Sequence, residues 1–224
     1  VALREVSDNI AHDLKTPLAC IIGSLEIYER SKEKLTLERK NILINTALQE
    51  AYRLDSFITN ILDMAKLESG TVKLKKEVCI MELLLEDCLI SLGQRLSKCK
   101  VSIKAVPSPF PVTTDPLLLM RAICIVLDNA AKYGPLHPAI GVEYEKVGAQ
   151  VVIRIEDNGQ GILQSRTEEI FSKYARFAIQ DYKHSGTGLG LPICREIMRL
   201  LGGTVTVANL AGNKGTVFTL AFPA

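Results

Sequence analysis

The segment Ala11-His12-Asp13-Leu14-Lys15-Thr16-Pro17 lies within a long amphipathic pattern that determines the fold of the N-terminal third of the chain. Apolar residues recur around it at intervals of three and four, which predicts one face of a helix, and they are Leu3, Val6, Ile10, Leu14, Leu18, Ile21 and Leu25. At about 100° per residue, His12 lies roughly 160° around this helix from Ile10 and from Leu14. We therefore expect the imidazole of His12 to face solvent.

Two long helices are predicted before residue 70. The first covers residues 1–30 and the second covers residues 37–69, with an apolar seam of Ile44, Ala47, Ala51, Leu54, Ile58, Ile61 and Ala65. A short polar connection between two helices is typical of an antiparallel hairpin. Because each helix of a hairpin has only one neighbour, we predict a homodimer in which two hairpins form a four-helix bundle. The alternative is that the hairpin packs on the rest of its own chain.

The exposed imidazole of His12 has neighbours that suit a reaction. A neutral imidazole is a nucleophile at about pH 7, and Asp13 can accept its ring proton. Thr16 follows one turn later on the same face, and Pro17 removes a backbone donor just beyond the reactive residue. The alternative is an ordinary surface histidine beside an aspartate, but the whole string on a predicted dimeric hairpin favours a reactive site.

Composition and charge exclude several classes of function. The balance of 27 basic and 25 acidic residues gives a net charge of +2, which argues against nucleic acid as a partner. No segment reaches the ~18 apolar residues of a membrane span, so we expect no membrane contact in this fragment. We expect no signal peptide in this fragment, and the spacing of the six cysteines suits neither zinc nor a disulfide framework. We expect free thiols and a cytoplasmic fragment of a longer protein.

After Gly70 the pattern changes to interspersed strands and helices. Helices are predicted at residues 81–97, 116–133 and 189–201, and strands at residues 72–78, 101–106, 140–145, 151–156, 204–208 and 216–222. Neighbouring strands resemble hairpin pairs, which favours a mixed sheet packed on helices. The fold class is therefore a two-domain protein, with an all-α hairpin at residues 1–69 and an α/β sandwich at residues 70–224.

The end of the helix at residues 116–133 is the first candidate ligand site. Asn129 continues an apolar helix stripe, where an amide needs a polar partner. Lys132 and Tyr133 follow on nearby faces, so the segment offers a donor, a cation and an aromatic wall to a nucleotide. The alternative is a helix C-terminus whose lysine favours the helix dipole.

Two glycine-containing strings complete the candidate site. In Asp157-Asn158-Gly159-Gln160-Gly161, the Asp157 carboxylate can accept a hydrogen bond from an exocyclic amine, while Gly159 and Gly161 allow close backbone approach; a plain turn is the alternative. Gly186-Thr187-Gly188-Leu189-Gly190 runs into a helix, which predicts a phosphate cradle of backbone N–H groups, although no G-K-[ST] follows as in a P-loop. Residues 178–185 are predicted to form a lid over the ligand.

In this order, the motifs resemble those of the cytoplasmic core of bacterial sensor histidine kinases, and the resemblance covers essentially the whole chain. H-D-L-K-T-P resembles the H box, L-D-N-A-A-K-Y the N box, D-N-G-Q-G-I the first G box, I-F-S-K-Y-A-R-F the F box, G-T-G-L-G-L the second G box and N-K-G-T-V-F-T-L the last glycine motif. The resemblance implies a phosphotransfer hairpin followed by an ATP-binding sandwich of the gyrase, Hsp90, kinase and MutL type, also called the Bergerat or GHKL fold.

The resemblance also implies a role for each site residue. Asp157 would contact the adenine amine and Tyr133 would lie against the base, while Lys132, Arg176 and the loop containing Gly186, Thr187, Gly188, Leu189 and Gly190 would contact phosphates. Asn129 would hold ATP and its Mg²⁺. His12 would attack the γ-phosphate with Asp13 as general base, and the phosphoryl group would pass to an Asp of a response regulator receiver domain. Thr16 would position a water for the reverse, phosphatase, reaction.

One departure from the family pattern concerns the metal. The family usually has a second Asn four residues before Asn129, whereas this chain has Ile125, which cannot ligate a hard cation.

The first hypothesis is an active homodimeric kinase, in a full-length protein anchored in the inner membrane. The second is a catalytically weakened nucleotide-binding dimer that acts as a phosphatase or scaffold. The third, an unrelated ATPase of the same fold, is disfavoured because such an enzyme has no use for an exposed H-D-L-K-T-P.

Overall fold

The computed structural model describes residues 2–31, 33–104, 108–173 and 188–224, with the side chains of residues 2–9, 12 and 213 outside that description. The chain forms two compact units, Val1–Ala65 and Lys66–Ala224.

The first unit is the predicted helical hairpin. Helix α1 is Ala2–Ser31 and helix α2 is Leu37–Glu68, so both helices match the prediction to within one residue at each end. The turn between them is closed by Leu35 N, which donates to Ser31 O at 3.0 Å. Thr36 Oγ1 then accepts a hydrogen bond from Arg39 N at 3.3 Å, as an N-cap hydroxyl does at the start of a helix.

The apolar seam predicted for α2 divides into two stripes. Ala47 is buried, and Leu54 and Ile61 are half-buried, on the same side as the buried Phe57. Ile44 and Ile58 are each 44% exposed, although both belong to the predicted seam. They lie on a second stripe, which also contains the exposed Leu48, Ala51, Leu62 and Ala65. The hairpin therefore leaves a stripe of apolar side chains uncovered in a single chain.

The second unit is a mixed sheet packed on helices, as predicted. Its helices are α3 (Met81–Leu92), α4 (Pro116–Tyr133) and α5 (Gly190–Leu200). Its strands, among the described residues, are β1 (Glu77–Ile80), β2 (Lys100–Ile103), β3 (Pro111–Thr114), β4 (Ala139–Val147), β5 (Gln150–Asp157), β6 (Thr204–Asn209) and β7 (Thr216–Pro223). The larger sheet has the order β2-β4-β5-β7-β6, in which β2 and β4 are parallel and the other neighbours antiparallel.

Strand register gives the larger sheet one apolar and one polar face. Tyr144 lies opposite Ile153, Ile153 opposite Leu220, and Leu220 opposite Val205, and all four are buried. Because side chains alternate along a strand, the adjacent row faces the other side. That row includes Glu143 and Arg154, which form an ion pair at 3.7 Å.

Helix α4 connects the sheet to the candidate site, and its start is fixed by Asp115. The Asp115 side chain accepts from Leu118 N at 3.1 Å as an N-cap, and from Lys75 N at 2.8 Å. Pro116 occupies the first turn, where its missing N–H costs nothing. The face of α4 that packs into the unit includes Leu119, Ala122, Ile123, Val126, Leu127 and Ala130.

The structure corrects two of the predicted elements and adds a strand that was not predicted. The strand predicted at residues 72–78 begins only at Glu77, because Lys75 N donates to the Asp115 carboxylate and not to a neighbouring strand. Strand β3 was missed, because prolines argue against strands. Pro111 is tolerated because it lies at the end of β3, opposite Ile80 of β1. The helix predicted at residues 81–97 ends at Leu92 and continues as a 3-10 turn, Gly93–Leu96.

Candidate functional site

The Asp157 carboxylate, at the end of β5, is the best-defined polar group of the candidate site. The residue is only 9% exposed. Its Oδ1 accepts from Gly159 N at 2.7 Å and from Thr216 N at 3.3 Å, and the Thr216 hydroxyl hydrogen-bonds to its Oδ2. These donors fix the orientation of the carboxylate. Since each carboxylate oxygen accepts more than one hydrogen bond, acceptor capacity remains for a ligand donor.

Glycines bring three chain segments against Asp157. A Cβ on Gly159 would lie 2.9 Å from Tyr133 O, so the loop after β5 packs directly on the end of α4. A Cβ on Gly215 would lie 1.9 Å from Asp157 O, and Gly215 has φ +111°. The end of α4, the loop after β5 and the start of β7 therefore meet at one point.

Two asparagines hold the loop that follows Asp157. Asn158 Oδ1 accepts from Ala139 N at 2.8 Å. Asn209 accepts from Ile162 N at 2.7 Å and donates to Ile162 O at 2.6 Å. Gly161, between them, has φ +78°, a conformation that favours glycine. The sequence analysis missed the roles of Asn209 and Thr216; the only available signal was that Thr216 belongs to the last glycine motif.

The residues predicted at the end of α4 differ in their surroundings. Asn129 is half-buried, and Tyr133 is 51% exposed, close to the loop that contains Gly159. Lys132 Nζ forms an ion pair with Asp128 Oδ2 at 2.6 Å, and Arg95 lies 3.6 Å from the other oxygen of Asp128. A phosphate contact by Lys132 would therefore be made by an ammonium group that already pairs with Asp128.

The second glycine loop is described from Gly188 onward. Gly188 has φ +65°, Leu189 is 1% exposed, and α5 begins at Gly190. A Cβ on Gly190 would lie 3.4 Å from Cγ2 of Ile125, so the side chain of Ile125 lies against the start of α5. Arg176, Gly186 and Thr187, together with the predicted lid at residues 178–185, lie outside the described residues.

The H-box residues lie together on α1 of the first unit. His12 is within the helix, but its side chain lies outside the described part of the chain. The predicted solvent exposure of its imidazole therefore stays a prediction. Thr16, one turn further along, is exposed, and Asp13 is half-buried.

Comparison with known proteins identifies both units. A model of the His Kinase A (phospho-acceptor) domain matches residues 2–70, and a model of the histidine kinase-, DNA gyrase B- and HSP90-like ATPase matches residues 114–224. Sensor protein KdpD of Escherichia coli K12 is 32% identical over 217 residues, which are 96% of this chain and 24% of KdpD. The chain thus spans about a quarter of the length of that relative.

Solved structures share the fold over nearly the whole chain. The histidine kinase AdeS of Acinetobacter baumannii has a TM-score of 0.74 at 21% identity, covering 95% of this chain and 97% of AdeS. The histidine kinase ThkA, solved in complex with the response regulator protein TrrA, has a TM-score of 0.71 at 21% identity and covers 98% of this chain and 61% of ThkA. At these identities the comparison establishes the fold alone.

A phosphoacceptor hairpin followed by an ATPase domain of this fold defines the core of a sensor kinase. The chain belongs to the sensor histidine kinase family. The resemblance inferred from the motifs and the two-part fold class are thereby confirmed.

Close packing at Gly215 predicts a large effect of a single methyl group. Gly215→Ala combines a positive φ with a Cβ 1.9 Å from Asp157 O. We expect it to lower the free energy of unfolding of the α/β unit by about 3 kcal/mol or more, measured by urea unfolding followed by circular dichroism. Gly148→Ala is the matched control, because Gly148 has φ +61° but nothing within 4 Å, and should cost about 1 kcal/mol. Equal losses in the two variants would contradict the packing argument.

Proposed function

We propose that this chain is the catalytic core of an active, homodimeric protein histidine kinase, which transfers the γ-phosphoryl group of ATP to His12. The observation that carries the proposal is the buried carboxylate of Asp157, held between Gly159 and Thr216 at the end of β5. We assign phosphoacceptor function to residues 1–69 and nucleotide binding to residues 70–224.

The nucleotide is bound around Asp157. A carboxylate accepts but does not donate, so it selects a base with an exocyclic amine, as adenine has. We place the ring of Tyr133 against the base, because the residue ends α4 beside the loop with Gly159 and is 51% exposed. Gly161 allows close backbone approach to the base, while Gly188, Leu189 and Gly190, with Gly186 and Thr187, supply backbone N–H groups to the phosphates. Lys132 and Arg176 supply positive charge there.

The reaction is an in-line displacement at the γ-phosphorus. A ring nitrogen of His12 forms the P–N bond while the bond from the γ-phosphorus to the bridging oxygen breaks, and ADP leaves. The proton on the other ring nitrogen passes to Asp13, which keeps the phosphorylated imidazole from carrying an extra positive charge. Phosphoryl transfer to an Asp of a response regulator receiver domain follows. Thr16 positions a water when the core acts as a phosphatase.

The residues present fit a Mg²⁺ ion only in part. Asn129 is half-buried and offers one amide oxygen, a ligand type that Mg²⁺ accepts. Ile125, one turn earlier, offers none and packs against Gly190. Among the described residues, no group of three or more His, Cys, Asp or Glu side chains is arranged to hold a metal. Bound Mg²⁺ would neutralise phosphate charge, with most of its oxygen ligands from phosphate and water.

Two further expectations concern assembly and location. The uncovered stripe of α2 around Ile58 fits a second copy of the hairpin, because two such stripes can cover each other in a four-helix bundle. No helix among the described residues is both long and apolar enough to cross a bilayer. We place this fragment in the cytoplasm, as part of a longer protein anchored in the inner membrane.

A second candidate function follows from Ile125. With one Asn at the metal position, the core could bind nucleotide while turning it over slowly, and act mainly as a phosphatase or scaffold for its regulator. The contact between Ile125 and Gly190 favours this candidate, because an apolar side chain occupies the space between the N box and the second glycine loop.

Autophosphorylation with γ-labelled Mg²⁺-ATP tests the kinase proposal. We expect acid-labile, alkali-stable label on the wild type and none on His12→Gln. Asp157→Asn should weaken ATP binding about tenfold or more, because the amide keeps its oxygen on the N–H groups of Gly159 and Thr216 and turns a donor, in place of Oδ2, toward the amine of the base. Glu156→Gln is the matched control, as it makes the same chemical change one residue earlier in β5 and should bind ATP normally. Label that persists in His12→Gln would refute the assignment of the phosphoacceptor.

Ile125→Asn distinguishes the two candidate functions. It restores an oxygen ligand, so the Mg²⁺ concentration for half-maximal labelling should fall about tenfold, whereas Ile125→Leu should leave it unchanged. Labelling of the wild type supports the active kinase. An unlabelled wild type that Ile125→Asn rescues would instead support the phosphatase or scaffold.

The dimer proposal predicts that one charge on the uncovered stripe dissociates the protein. Ile58→Glu should shift the mass measured by sedimentation equilibrium from dimer to monomer, because the carboxylate would be buried without a partner. Gln49→Glu adds the same charge on the exposed opposite side of α2 and should remain dimeric. A monomeric wild type at micromolar concentration would rule out the stable homodimer.

A further inference from the structure

Two cysteines meet where α3 packs on α4. Cys88 of α3 and Cys124 of α4 lie on facing turns, because each thiol contacts a residue within one helical turn of the other cysteine. Cys88 is fully buried, with its Sγ 3.6 Å from Met120 O. Cys124 is half-buried, and its Sγ lies 3.4 Å from Ser91 Oγ. Cys124 is thus the more exposed residue of the two.

The surroundings make the two thiols chemically unequal. The neighbouring Cys88 thiol, and further the Ser91 hydroxyl and the charge of Arg121, lower the pKa of the Cys124 thiol against the opposing effect of burial. The neighbouring Cys124 thiol and burial raise the pKa of the Cys88 thiol. The thiolate is the nucleophile in thiol chemistry, so Cys124 is the residue that reacts first and Cys88 the one that reacts second.

The other cysteines differ from this pair. Cys194 is fully buried, its Sγ lies 3.7 Å from Ala122 O, and burial raises the pKa of its thiol. Burial also raises the pKa of the Cys99 thiol, and that of Cys79. Cys88 and Cys124, by contrast, lie on facing turns of two packed helices.

We propose that Cys88 and Cys124 form an oxidisable dithiol, which hydrogen peroxide converts to a disulfide that links α3 to α4. In the first step the Cys124 thiolate attacks one peroxide oxygen, and the O–O bond breaks to give the sulfenic acid and hydroxide. In the second, the Cys88 sulfur attacks the sulfenic sulfur and the S–O bond breaks. The Cys88 proton leaves with the sulfenic hydroxyl as water, and the hydroxide takes the proton that Cys124 lost. The peroxide is reduced by two electrons and the two thiols are oxidised.

The disulfide constrains the helix that carries the N box. A disulfide bond is about 2.0 Å long, so its formation ties α3 to α4 at a fixed separation. Asp128, which pairs with Lys132, follows Cys124 by one turn of α4, and Asn129 comes next. Oxidation therefore lowers nucleotide affinity; this consequence rests on the proposed nucleotide site, whereas the disulfide itself does not.

The experiment uses the chain with Cys20, Cys79 and Cys99 replaced by Ser, which removes the more exposed thiols and keeps Cys88, Cys124 and Cys194. After treatment with hydrogen peroxide, remaining thiols are alkylated under denaturing conditions and the digest is analysed by mass spectrometry. We expect a peptide pair joined through Cys88 and Cys124, lighter by two hydrogens and separated by dithiothreitol, while Cys194 is alkylated.

Two single variants in this background keep the test decisive. Cys88→Ser should leave Cys124 as a sulfenic acid that dimedone traps, because no second thiol is present. Cys124→Ser should leave Cys88 unoxidised. Circular dichroism identifies any variant that fails to fold. Absence of the joined peptides in a folded protein, or equal peroxide reactivity of Cys124 and Cys194, would overturn the proposal.

Binding of a fluorescent ATP analogue separates the disulfide from its consequence. We expect affinity to fall about tenfold on oxidation, to recover with dithiothreitol, and to be unaffected by peroxide in Cys124→Ser. A disulfide without any change in affinity would overturn the coupling to the nucleotide site. A reduced protein that does not bind ATP would refute the proposed function while leaving the disulfide assignment intact.

Discussion

The α/β unit depends most on the hydrogen bonds made by the Asp157 carboxylate. The residue ends the central strand β5, and its side chain holds the next loop through Gly159 and the start of β7 through Thr216. A buried carboxylate without donors would be costly, so these partners are needed for the fold itself. The same partners orient the carboxylate toward whatever ligand the site receives, so stability and recognition share one group.

Packing around this carboxylate leaves little freedom. Gly159 lies against the carbonyl of Tyr133, and Gly215 against the backbone of Asp157, so each position has room for a hydrogen only. The end of α4 is placed in turn by its start, where Asp115 binds both Leu118 N and Lys75 N. Helix α4 thus connects Lys75, which lies just before β1, to the loop that contains Gly159. Its turns at Met120 and Cys124 contact α3.

The hairpin shows a different physical constraint. Two helices cover only part of each other, so Phe57 is buried in the chain while Ile44 and Ile58 remain partly exposed. The predicted seam mixed these two sets, because a spacing of three and four alone does not distinguish a stripe that faces its own hairpin from one that faces another helix. A hairpin of this kind has apolar surface that its own second helix does not remove from water.

The sequence by itself determined the elements with strong periodicity or clear end signals, such as α4, which matches the predicted residues 116–133, and the order of motifs that identified the family. Periodicity and capping are local, so they can be read from neighbouring residues. Only the tertiary structure decided that residues 72–76 are not a strand, that Pro111 begins β3, and that Thr216 and Asn209 hold the site loops. The pairing of Cys88 with Cys124 is of the same kind. Each depends on a partner about 30 to 60 residues away, and such contacts are set by packing and hydrogen bonding across the fold.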